Sequence, residues 1–465
     1  MSEIEERLGE MERLGLSRRL RLVSGPQGPT VLLDGKPVLL LCSNNYLGLA
    51  DHPRVREAAA DAAMRWGVGA GASRLVSGTM TIHRRLEERL AAFEGSEACL
   101  LFGSGYLANL GILGALAGRG DAIFSDELNH ASIIDGCRLS RAQVVVYRHR
   151  DVEHLDWSLR QHAGARRVIV TDSVFSMDGD IAPLEEIVSL ADLHGARLVV
   201  DEAHATGNLG AGGRGAVAEA GLEGEVDVVV GTLGKAFGSY GAYACASAEM
   251  VRLLINTARP LIFSTAPSPP AVAGALAALD LLQERPHRVQ RLRSNARVLR
   301  RALAAEGFPV ADTEMHIVPL IVGDERMTMR ICQEAISRGA FAQAIRPPTV
   351  AMGTSRLRLT AMASHTASEL QMAANVFGEA ARGLGIEPAT LPAPLPERRA
   401  PLADLELAGA HVTFAHERPQ EGEELATAPF DLERYHDGQR APIKALAGSQ
   451  APFDFERDTS GARAA

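Results

Sequence analysis

Lysine is scarce in this 465-residue chain, and only Lys36, Lys235 and Lys444 occur among its 48 basic residues. Arginine therefore supplies nearly all of the positive charge. Arginine stays protonated in proteins, whereas a desolvated lysine can lose its proton and attack a carbonyl. Lys235 lies between glycines at the end of an apolar run, and this position suggests a chemical need for an amine.

Cysteine and long apolar runs are also sparse, and each absence excludes a class of protein. The five cysteines are dispersed and form no Cys-x-x-Cys pair, which argues against disulfides or a zinc site and is typical of reduced cytosolic thiols. No apolar run approaches the length of a membrane span, and the acidic N-terminus is unlike a signal peptide. A net charge of −9 argues against electrostatic binding to nucleic acid or to an anionic membrane. We expect a cytoplasmic protein without a metal site and without nucleic-acid or membrane partners.

Apolar strands alternate with helices between about residues 97 and 250. The candidate strands are 98–102, 122–125, 144–147, 167–171, 197–200, 226–230 and 242–247. This alternation predicts an α/β fold, with a mainly parallel seven-stranded sheet that is covered on both faces. Ligands in such sheets bind beyond the carboxyl ends of the strands, so the residues that follow each strand are the candidates for a site.

Three of these strand ends carry residues with useful chemistry. Lys235 follows one strand, Asp201 and His204 follow another, and the stretch 103–109 opens a helix with small residues whose free N–H groups can hold a phosphate. Taken singly, each of these three side chains could have a structural role instead. Lys235 could be a surface lysine, Asp201 could cap a turn, and His204 could be an ordinary loop histidine. Together they meet the needs of pyridoxal 5′-phosphate (PLP), which requires an amine, a carboxylate for its ring nitrogen and a phosphate cradle.

The flanking regions predict further parts of the molecule. Residues 1 to about 23 have helical periodicity, and Asp34-Gly35 is a hairpin turn. A smaller α+β unit follows residue 285, where Arg356 and Arg358 share one face of a strand and can bind a carboxylate. The predicted organisation is an N-terminal helix and hairpin segment (1–45), a large PLP-binding domain (46–285), a small C-terminal domain (286–385) and a proline-rich, acidic, disordered tail (386–465).

Residues 10–385 resemble the α-oxoamine synthase family of fold-type I PLP-dependent enzymes. The motifs that carry the resemblance are Ser43-Asn-Asn-Tyr-Leu-Gly48, Asn129-His-Ala-Ser132, Ser176-Met-Asp-Gly179, Asp201-Glu-Ala-His204 and Thr232-Leu-Gly-Lys235. The resemblance implies a fold-type I transferase with PLP as cofactor, and a homodimer with its sites at the subunit interface. The last 78 residues are additional to the family core, and the sequence indicates no function for them.

The resemblance also implies a role for each matching residue. Lys235 would hold the cofactor and move the substrate proton, Asp201 would pair with the ring nitrogen, His204 would bond the ring hydroxyl, and His130 would stack on the ring. The phosphate would be cradled by Gly105, Tyr106, Ser176 and Thr232, with Ser264 and Thr265 reaching in from a second subunit. The substrates would be held by Arg358 and Asn44 at the carboxylate and by Arg18 and Thr349 at the acyl group.

The stretch 344–350, Ala-Ile-Arg-Pro-Pro-Thr-Val, resembles the branch of the family that makes 8-amino-7-oxononanoate for biotin synthesis. The resemblance implies decarboxylative condensation of L-alanine with a pimeloyl thioester, carried on CoA or on a carrier protein. The alternatives are a family member of the 2-amino-3-ketobutyrate CoA ligase, 5-aminolevulinate synthase or serine palmitoyltransferase type, a PLP lyase or aldolase that uses no thioester, and a non-catalytic binding module. Release of a free thiol separates the thioester enzymes from the lyases.

Overall fold

The computed structural model describes residues 2–162, 164 and 166–394, and the element bounds below apply to this part of the chain. The strands are β1 (Val23–Ser24), β2 (Thr30–Leu33), β3 (Lys36–Leu40), β4 (Ala98–Phe102), β5 (Ala122–Asp126), β6 (Gln143–Tyr147), β7 (Arg167–Asp172), β8 (Arg197–Asp201), β9 (Val228–Thr232), β10 (Ala242–Ala246), β11 (Ile317–Gly323), β12 (Ala340–Phe341), β13 (Gln343–Ile345) and β14 (Ser355–Thr360). The helices are α1 (Glu3–Arg13), α2 (Pro53–Trp66), α3 (Thr81–Glu94), α4 (Gly105–Leu116), α5 (Ala131–Ser140), α6 (Val152–Gln161), α7 (Leu184–His194), α8 (Ala216–Glu219), α9 (Ala248–Thr257), α10 (Arg259–Ile262), α11 (Pro269–Glu284), α12 (His287–Ala305), α13 (Glu325–Ser337) and α14 (Ala367–Gly383).

The seven predicted strands form one sheet in the order β4-β10-β9-β8-β7-β5-β6. Only β10 runs against its neighbours, so the sheet is mainly parallel, as predicted. Its strands are apolar on both faces because helices cover both: Val229 packs into the core on one face, and Val228 and Val230 pack into the core on the other. The predicted fold class is confirmed.

The carboxyl ends of four adjacent strands bring polar side chains to one edge of this sheet. β5 ends at Asp126, β7 at Asp172, β8 at Asp201 and β9 at Thr232. Parallel strands that lie side by side present their ends together, so residues distant in sequence meet at this edge. Lys235 follows the last of these strands by three residues.

The small domain contains β11, β14 and β13, which form a three-stranded antiparallel sheet. A second small sheet, β1-β2-β3-β12, joins it to the N-terminal hairpin, because β3 pairs in parallel with β12 at Leu39 and Ala340. The hairpin residues Val31 and Leu33 share one apolar core with Phe377 of α14. The N-terminal segment therefore packs as part of the small domain, although about 300 residues separate the two in sequence.

The first helix is shorter than the sequence pattern predicts. Ser2 caps α1, because its hydroxyl accepts from Glu5 N–H at 3.2 Å, and the helix ends at Arg13 instead of near residue 23. Gly15 adopts a φ of 68°, which leaves the helical region, and Arg346 donates to the Gly15 and Ser17 carbonyls, which breaks helical pairing. The predicted helix over residues 14–23 was wrong.

The described chain continues beyond the predicted end of the small domain at residue 385. Pro388–Thr390 forms a 3₁₀ turn with Pro388 buried, and Ile386 and Leu391 pack against the small-domain core. The rest of the predicted tail, residues 395–465, lies outside the described residues. Within the described residues, no helix is long and apolar enough to cross a membrane.

Candidate active site

The turn that carries Lys235 is fixed by close contacts with neighbouring loops. Gly238 has a φ of 61°, and a Cβ there would lie 2.3 Å from the backbone nitrogen of Ala50. Gly207 is equally confined, since its Cβ would approach Ala236 Cβ to 2.4 Å. Any larger residue at either glycine would displace the lysine turn, so these glycines determine where the amine lies.

Lys235 begins a chain of buried and partly buried hydrogen bonds. Its Nζ lies 2.8 Å from His204 Nε2, and His204 Nδ1 lies 2.6 Å from the Tyr46 hydroxyl. The Tyr46 hydroxyl donates to Asn44 Oδ1 at 3.0 Å. These contacts are mutually consistent when His204 is neutral with its proton on Nδ1, because Nε2 then accepts from the lysine and Nδ1 donates to Tyr46.

The charge states in this chain follow from burial. Desolvation lowers the pKa of Lys235 to about 8. The negative charges of Asp201 and Asp172 favour the protonated amine and oppose this shift. Burial together with the nearby cations Lys235 and Arg358 lowers the pKa of His204 well below its ordinary value. A neutral histidine therefore lies beside an amine that loses its proton near physiological pH.

Arg358 meets this chain from the small domain. It donates to Asn44 Oδ1 at 3.3 Å and to the Tyr46 hydroxyl at 3.4 Å. Its side chain is 6% exposed, and among the described residues it has no carboxylate partner. Arg356, two residues earlier on the same face, is instead ion-paired with Asp178. Because a buried guanidinium without an anion is unfavourable, Arg358 is suited to bind the carboxylate of a ligand.

Asp201 lies on the other side of Lys235 and is held by two donors. Its Oδ2 accepts from Asn109 Nδ2 at 2.7 Å, and its Oδ1 accepts from Ala203 N–H at 2.8 Å. Asn109 also donates to the Ser132 hydroxyl at 2.9 Å, and that hydroxyl lies 2.7 Å from His130 Nδ1. Each carboxylate oxygen has a second lone pair, so Asp201 can still accept a proton-bearing ring nitrogen.

The start of α4 fits a phosphate. Ser104 caps the helix by accepting from Leu107 N–H at 3.3 Å. The N–H groups of Gly105 and Tyr106 have no acceptor among the described residues. A Cβ at Gly105 would meet no atom within 4 Å, so the helix start faces open space. Together with the amine of Lys235 and the carboxylate of Asp201, these residues fit the functional groups of PLP.

The remaining predicted residues divide into two groups. Thr232 ends β9 close to Lys235, where its hydroxyl accepts from Gly234 N–H at 3.2 Å, and Ser176 contacts Arg358 through its carbonyl. In the part of the chain that the structure describes, no hydrogen bond joins Ser264 or Thr265 to the Lys235 turn, and Thr265 pairs instead with Ser73.

Arg18 and Thr349 both lie near Arg346. Arg346 donates to the Ser17 carbonyl at 3.1 Å, and its own carbonyl accepts from Thr349 N–H at 3.1 Å. The Arg346 guanidinium therefore lies beside the residue that precedes Arg18, whereas Thr349 contacts only the Arg346 backbone, in a local turn.

Sequence reasoning missed several residues of this site. Tyr46, Asn109 and Ser132 all stand in the stretches that the prediction quoted, but they were given no role. Their signal was present, since each is a polar residue inside a motif. Their partners come from other strands and loops, so no local pattern identifies the hydrogen bonds. Asp172, which ends β7, was also given no role, and its carboxylate accepts from His130 N–H at 2.7 Å.

A second buried polar cluster lies beside the first and uses different chemistry. Tyr243 donates to Glu94 Oε1 at 2.5 Å, and Glu202 accepts from the N–H groups of Ala216 and Val217 at 2.8 and 2.9 Å. Burial raises the pKa of Glu94 to about 8 and that of Glu202 to about 7. Among the residues that the structure describes, no group of histidine, cysteine or acidic side chains is arranged to hold a metal ion.

Comparisons with known proteins agree with this geometry. The family model described as aminotransferase class I and II matches residues 36–377. The chain is 52% identical over 384 residues to 8-amino-7-oxononanoate synthase of Geobacter sulfurreducens, covering 81% of this chain and 98% of that protein. It is 51% identical to the enzyme of the same name from Geobacter metallireducens, with 82% and 98% covered. A solved serine palmitoyltransferase variant from S. paucimobilis, with bound PLP and myriocin, is 34% identical and has a TM-score of 0.79, with 83% of this chain and 98% of that chain covered.

Proposed function

This chain belongs to the α-oxoamine synthase branch of the aminotransferase class I and II family, and we propose that it condenses L-alanine with a pimeloyl thioester to give 8-amino-7-oxononanoate. It is a PLP-dependent acyltransferase of the biotin pathway. Identity of 52% to a relative named for this product, against 34% to a serine palmitoyltransferase, favours alanine over serine.

The observation that carries the proposal is the connection between Lys235 and Arg358. An amine whose pKa is lowered to about 8 and a buried guanidinium without a carboxylate partner are joined through His204 and Tyr46. An amino acid needs both groups, because its carboxylate requires a fixed cation and its Cα proton requires a base. Arg358, with Asn44 beside it, would hold the alanine carboxylate within reach of the Lys235 amine.

Residues from several strand ends and loops would hold PLP. Asp201 would accept a hydrogen bond from the ring nitrogen, His204 would contact the ring hydroxyl, and His130 would lie on the ring face. The phosphate would be bound by Gly105, Tyr106, Ser176 and Thr232, together with Ser264 and Thr265 from a second subunit. When bound, PLP supplies an electron sink for the negative charge that develops at the amino-acid Cα.

Lys235 would transfer protons during the reaction. With a pKa of about 8, a substantial fraction of the amine is neutral at pH 7.5, so Nζ can remove the alanine Cα proton and return it later. Neutral His204 would orient Nζ by hydrogen bonding and would not compete for the proton, because its own pKa is well below its ordinary value. Asp201 would keep the ring nitrogen protonated, which makes removal of the Cα proton feasible.

The acyl substrate would enter near Arg346. Burial lowers the pKa of Arg346, and the nearby exposed cation Arg18 lowers it further, so two guanidinium groups lie close together in this region. Pimelate has a free carboxylate at the end remote from the thioester, and a cationic site there would select such a chain over palmitate. Thr349, whose N–H bonds the Arg346 carbonyl, adds a hydroxyl beside this site.

A homodimer forms part of this proposal. Phe263 is 71% exposed directly before Ser264 and Thr265, and Val76 is 79% exposed in the loop that Thr265 bridges. Large apolar side chains at such exposure support a subunit interface there. Dimerisation would carry Ser264 and Thr265 to the partner's site, and we assign the dimer to the cytoplasm.

The test is a substrate panel. Purified protein loaded with PLP is mixed with alanine, glycine or serine and with pimeloyl, acetyl, succinyl or palmitoyl thioesters on CoA, and with pimeloyl carrier protein, while free thiol is measured. We expect thiol release with alanine and a pimeloyl thioester. Thiol release with another pair would assign the chain to a different substrate pair of the same family. A change in the cofactor absorbance without thiol release from any pair would contradict the acyltransferase proposal.

A further inference from the structure

An imidazole bridge lies at the carboxyl edge of the large sheet, outside the hydrogen-bond chain that joins Lys235 to Arg358. His149, which follows β6, places Nδ1 2.9 Å from Asp126 Oδ1 and Nε2 2.6 Å from Asp180 Oδ2. Asp126 ends β5, and Asp180 belongs to the loop that follows β7. The ring therefore joins a strand end to a loop.

The geometry of the bridge determines the charge of His149. A neutral imidazole carries a proton on only one ring nitrogen, so it would turn a lone pair toward one of the two carboxylates, whereas an imidazolium donates to both. Burial disfavours the charge, but the hydrogen bonds to Asp126 and Asp180 outweigh it and raise the pKa of His149 to about 10. The His149 side chain is 20% exposed and that of Asp126 is 1% exposed, so solvent weakens the bridge little.

Asp126 is held independently of His149. Its Oδ1 also accepts from Leu128 N–H, and its Oδ2 accepts from Arg150 N–H, both at 2.9 Å. The strand that it ends, β5, pairs with β6 on one side and with β7 on the other. Asp126 is therefore the fixed end of the bridge, and the loop is the part that the bridge restrains.

The restrained part of the loop is the tight turn 175–180. Phe175 N–H donates to the Asp180 carbonyl at 3.0 Å, and Gly179 N–H donates to the Phe175 carbonyl at 2.8 Å. His149 contacts both ends of this turn, since its ring also packs edge-on against the Phe175 ring with the centroids 4.3 Å apart. The bridge therefore restrains the turn as a unit.

The 175–180 turn also meets the small domain. The Ser176 carbonyl accepts from Arg358 Nε, and Asp178 is ion-paired with Arg356. A guanidinium is planar, so the bond from Nε to a fixed carbonyl sets the plane in which the two terminal nitrogens can meet a carboxylate. The position of the turn therefore determines the orientation of Arg358.

We propose that His149 is a positioning residue for the substrate carboxylate. As a cation between Asp126 and Asp180, it restrains the 175–180 turn, and this turn orients Arg358. The inference rests on the proposed role of Arg358 as the residue that binds the carboxylate of the amino-acid substrate. It does not depend on which amino acid is used, because every α-amino acid carries the same carboxylate.

The test is steady-state kinetics of the full chain loaded with PLP, with alanine and the pimeloyl thioester varied separately. The test variant is His149→Gln, whose amide can donate to one aspartate but carries no charge. The control is His194→Gln. His194 Nε2 lies 2.7 Å from Asp156 Oδ1 and its side chain is 12% exposed, so it resembles His149 in pairing and burial but contacts α6 instead of the 175–180 turn.

We expect His149→Gln to raise the KM for alanine about 3- to 10-fold and His194→Gln to change it less than about twofold. The KM for the thioester should change less than about twofold in both, because only the carboxylate contact is disturbed. A purely structural role of His149 would give a different result. It would lower the amount of folded enzyme, and so the rate, without changing either KM.

A second variant, Asp180→Asn, removes the charge at the other end of the bridge. It should raise the KM for alanine to a similar extent, and the double variant should show less than the product of the two single effects, because both changes break the same bridge. Asp180→Asn also replaces His149→Gln should the latter fail to fold. An unchanged KM for alanine in these variants, or an equal rise in His194→Gln, would overturn the proposal.

Failure of the proposed function would be visible in the wild-type chain. If that chain releases thiol with glycine or serine instead of alanine, the KM for that amino acid is compared among the same variants. If it releases no thiol with any pair, the dissociation constant of alanine, measured from the cofactor absorbance, takes the place of KM. Either result contradicts the proposed reaction, whereas the comparison of His149→Gln with His194→Gln still decides the role of His149.

Discussion

Two buried polar clusters lie side by side in the large domain. Asp201 belongs to one of them, and the next residue in the chain, Glu202, belongs to the other. The cluster around Lys235 brings together opposite charges. Within the described residues it leaves Arg358 without a carboxylate partner and the N–H groups of Gly105 and Tyr106 without an acceptor. In the cluster around Glu94, burial raises the pKa values of both acids, and Tyr243 and backbone N–H groups satisfy them. Buried titratable groups with shifted pKa values are common to both clusters, so such groups do not by themselves mark a site. The unfilled hydrogen-bonding groups distinguish the functional cluster from the structural one.

Replacing the amine would break the functional cluster and leave the structural one intact. We expect Lys235→Ala to reduce turnover at least about 1,000-fold, because it removes both the cofactor linkage and the base. The absorbance of bound PLP should be lost as well, whereas the free energy of unfolding without PLP should not decrease, because a desolvated charge is removed. The matched control is Lys36→Ala, an exposed lysine, which should retain activity and absorbance. An active Lys235→Ala enzyme would refute the assignment.

The next largest effect should come from Arg358. We expect Arg358→Lys to lower kcat/KM for alanine by about 10- to 100-fold, mainly through KM, because lysine cannot reproduce the planar guanidinium contact with a carboxylate. PLP absorbance should be unchanged. Steady-state kinetics with varied alanine measures this. The comparison variant is Arg356→Lys, whose guanidinium is already paired with Asp178 and which should change the KM for alanine less than about threefold. Equal effects of the two would show that Arg358 has no special contact with the substrate.

The structural cluster should respond in stability instead of activity. Tyr243→Phe leaves Glu94 without its donor, and we expect the free energy of unfolding to fall by about 1–2 kcal/mol with PLP absorbance and the KM for alanine unchanged. Denaturant unfolding measures this. Tyr147→Phe is the control, since Tyr147 is equally buried and its hydroxyl makes no hydrogen bond to a carboxylate within the described chain. A loss of stability of the same size in the control would disprove the role of the Tyr243–Glu94 bond.

The structural cluster should also affect the pH dependence of stability. Glu94 has an ordinary pKa of 4.5, raised to about 8 in the folded chain, so between these values the folded state holds a proton that the unfolded state has released. Stability should therefore fall as pH rises through this window, by at most about 1.4 kcal/mol per pH unit for one group. Glu94→Gln should flatten this slope, and Glu88→Gln, at an exposed position, should not. An unchanged slope in Glu94→Gln would mean that Glu94 is ionised in the folded protein.

The large sheet could be predicted almost completely from the sequence. Its strands are short apolar runs bounded by turns, and residues such as Asp201 and Thr232 mark their ends locally. The small domain was harder, because β3 pairs with β12 from the far end of the chain and no local pattern selects such a partner. The predicted length of the first helix was wrong for a similar reason. Arg346 donates to the carbonyls of Gly15 and Ser17, which a longer helix would have used for its own hydrogen bonds.

The sequence by itself determined the fold class and the chemical groups of the site, because strand periodicity and the placement of Lys235, Asp201 and His204 are local properties of the chain. Only the tertiary structure decided how those groups are charged and connected. Tyr46 joins His204 to Arg358, and the pKa of Lys235 falls to about 8, because the ends of distant segments exclude water from one space. Desolvation and long-range hydrogen bonds depend on the packed fold, and no stretch of the sequence contains them.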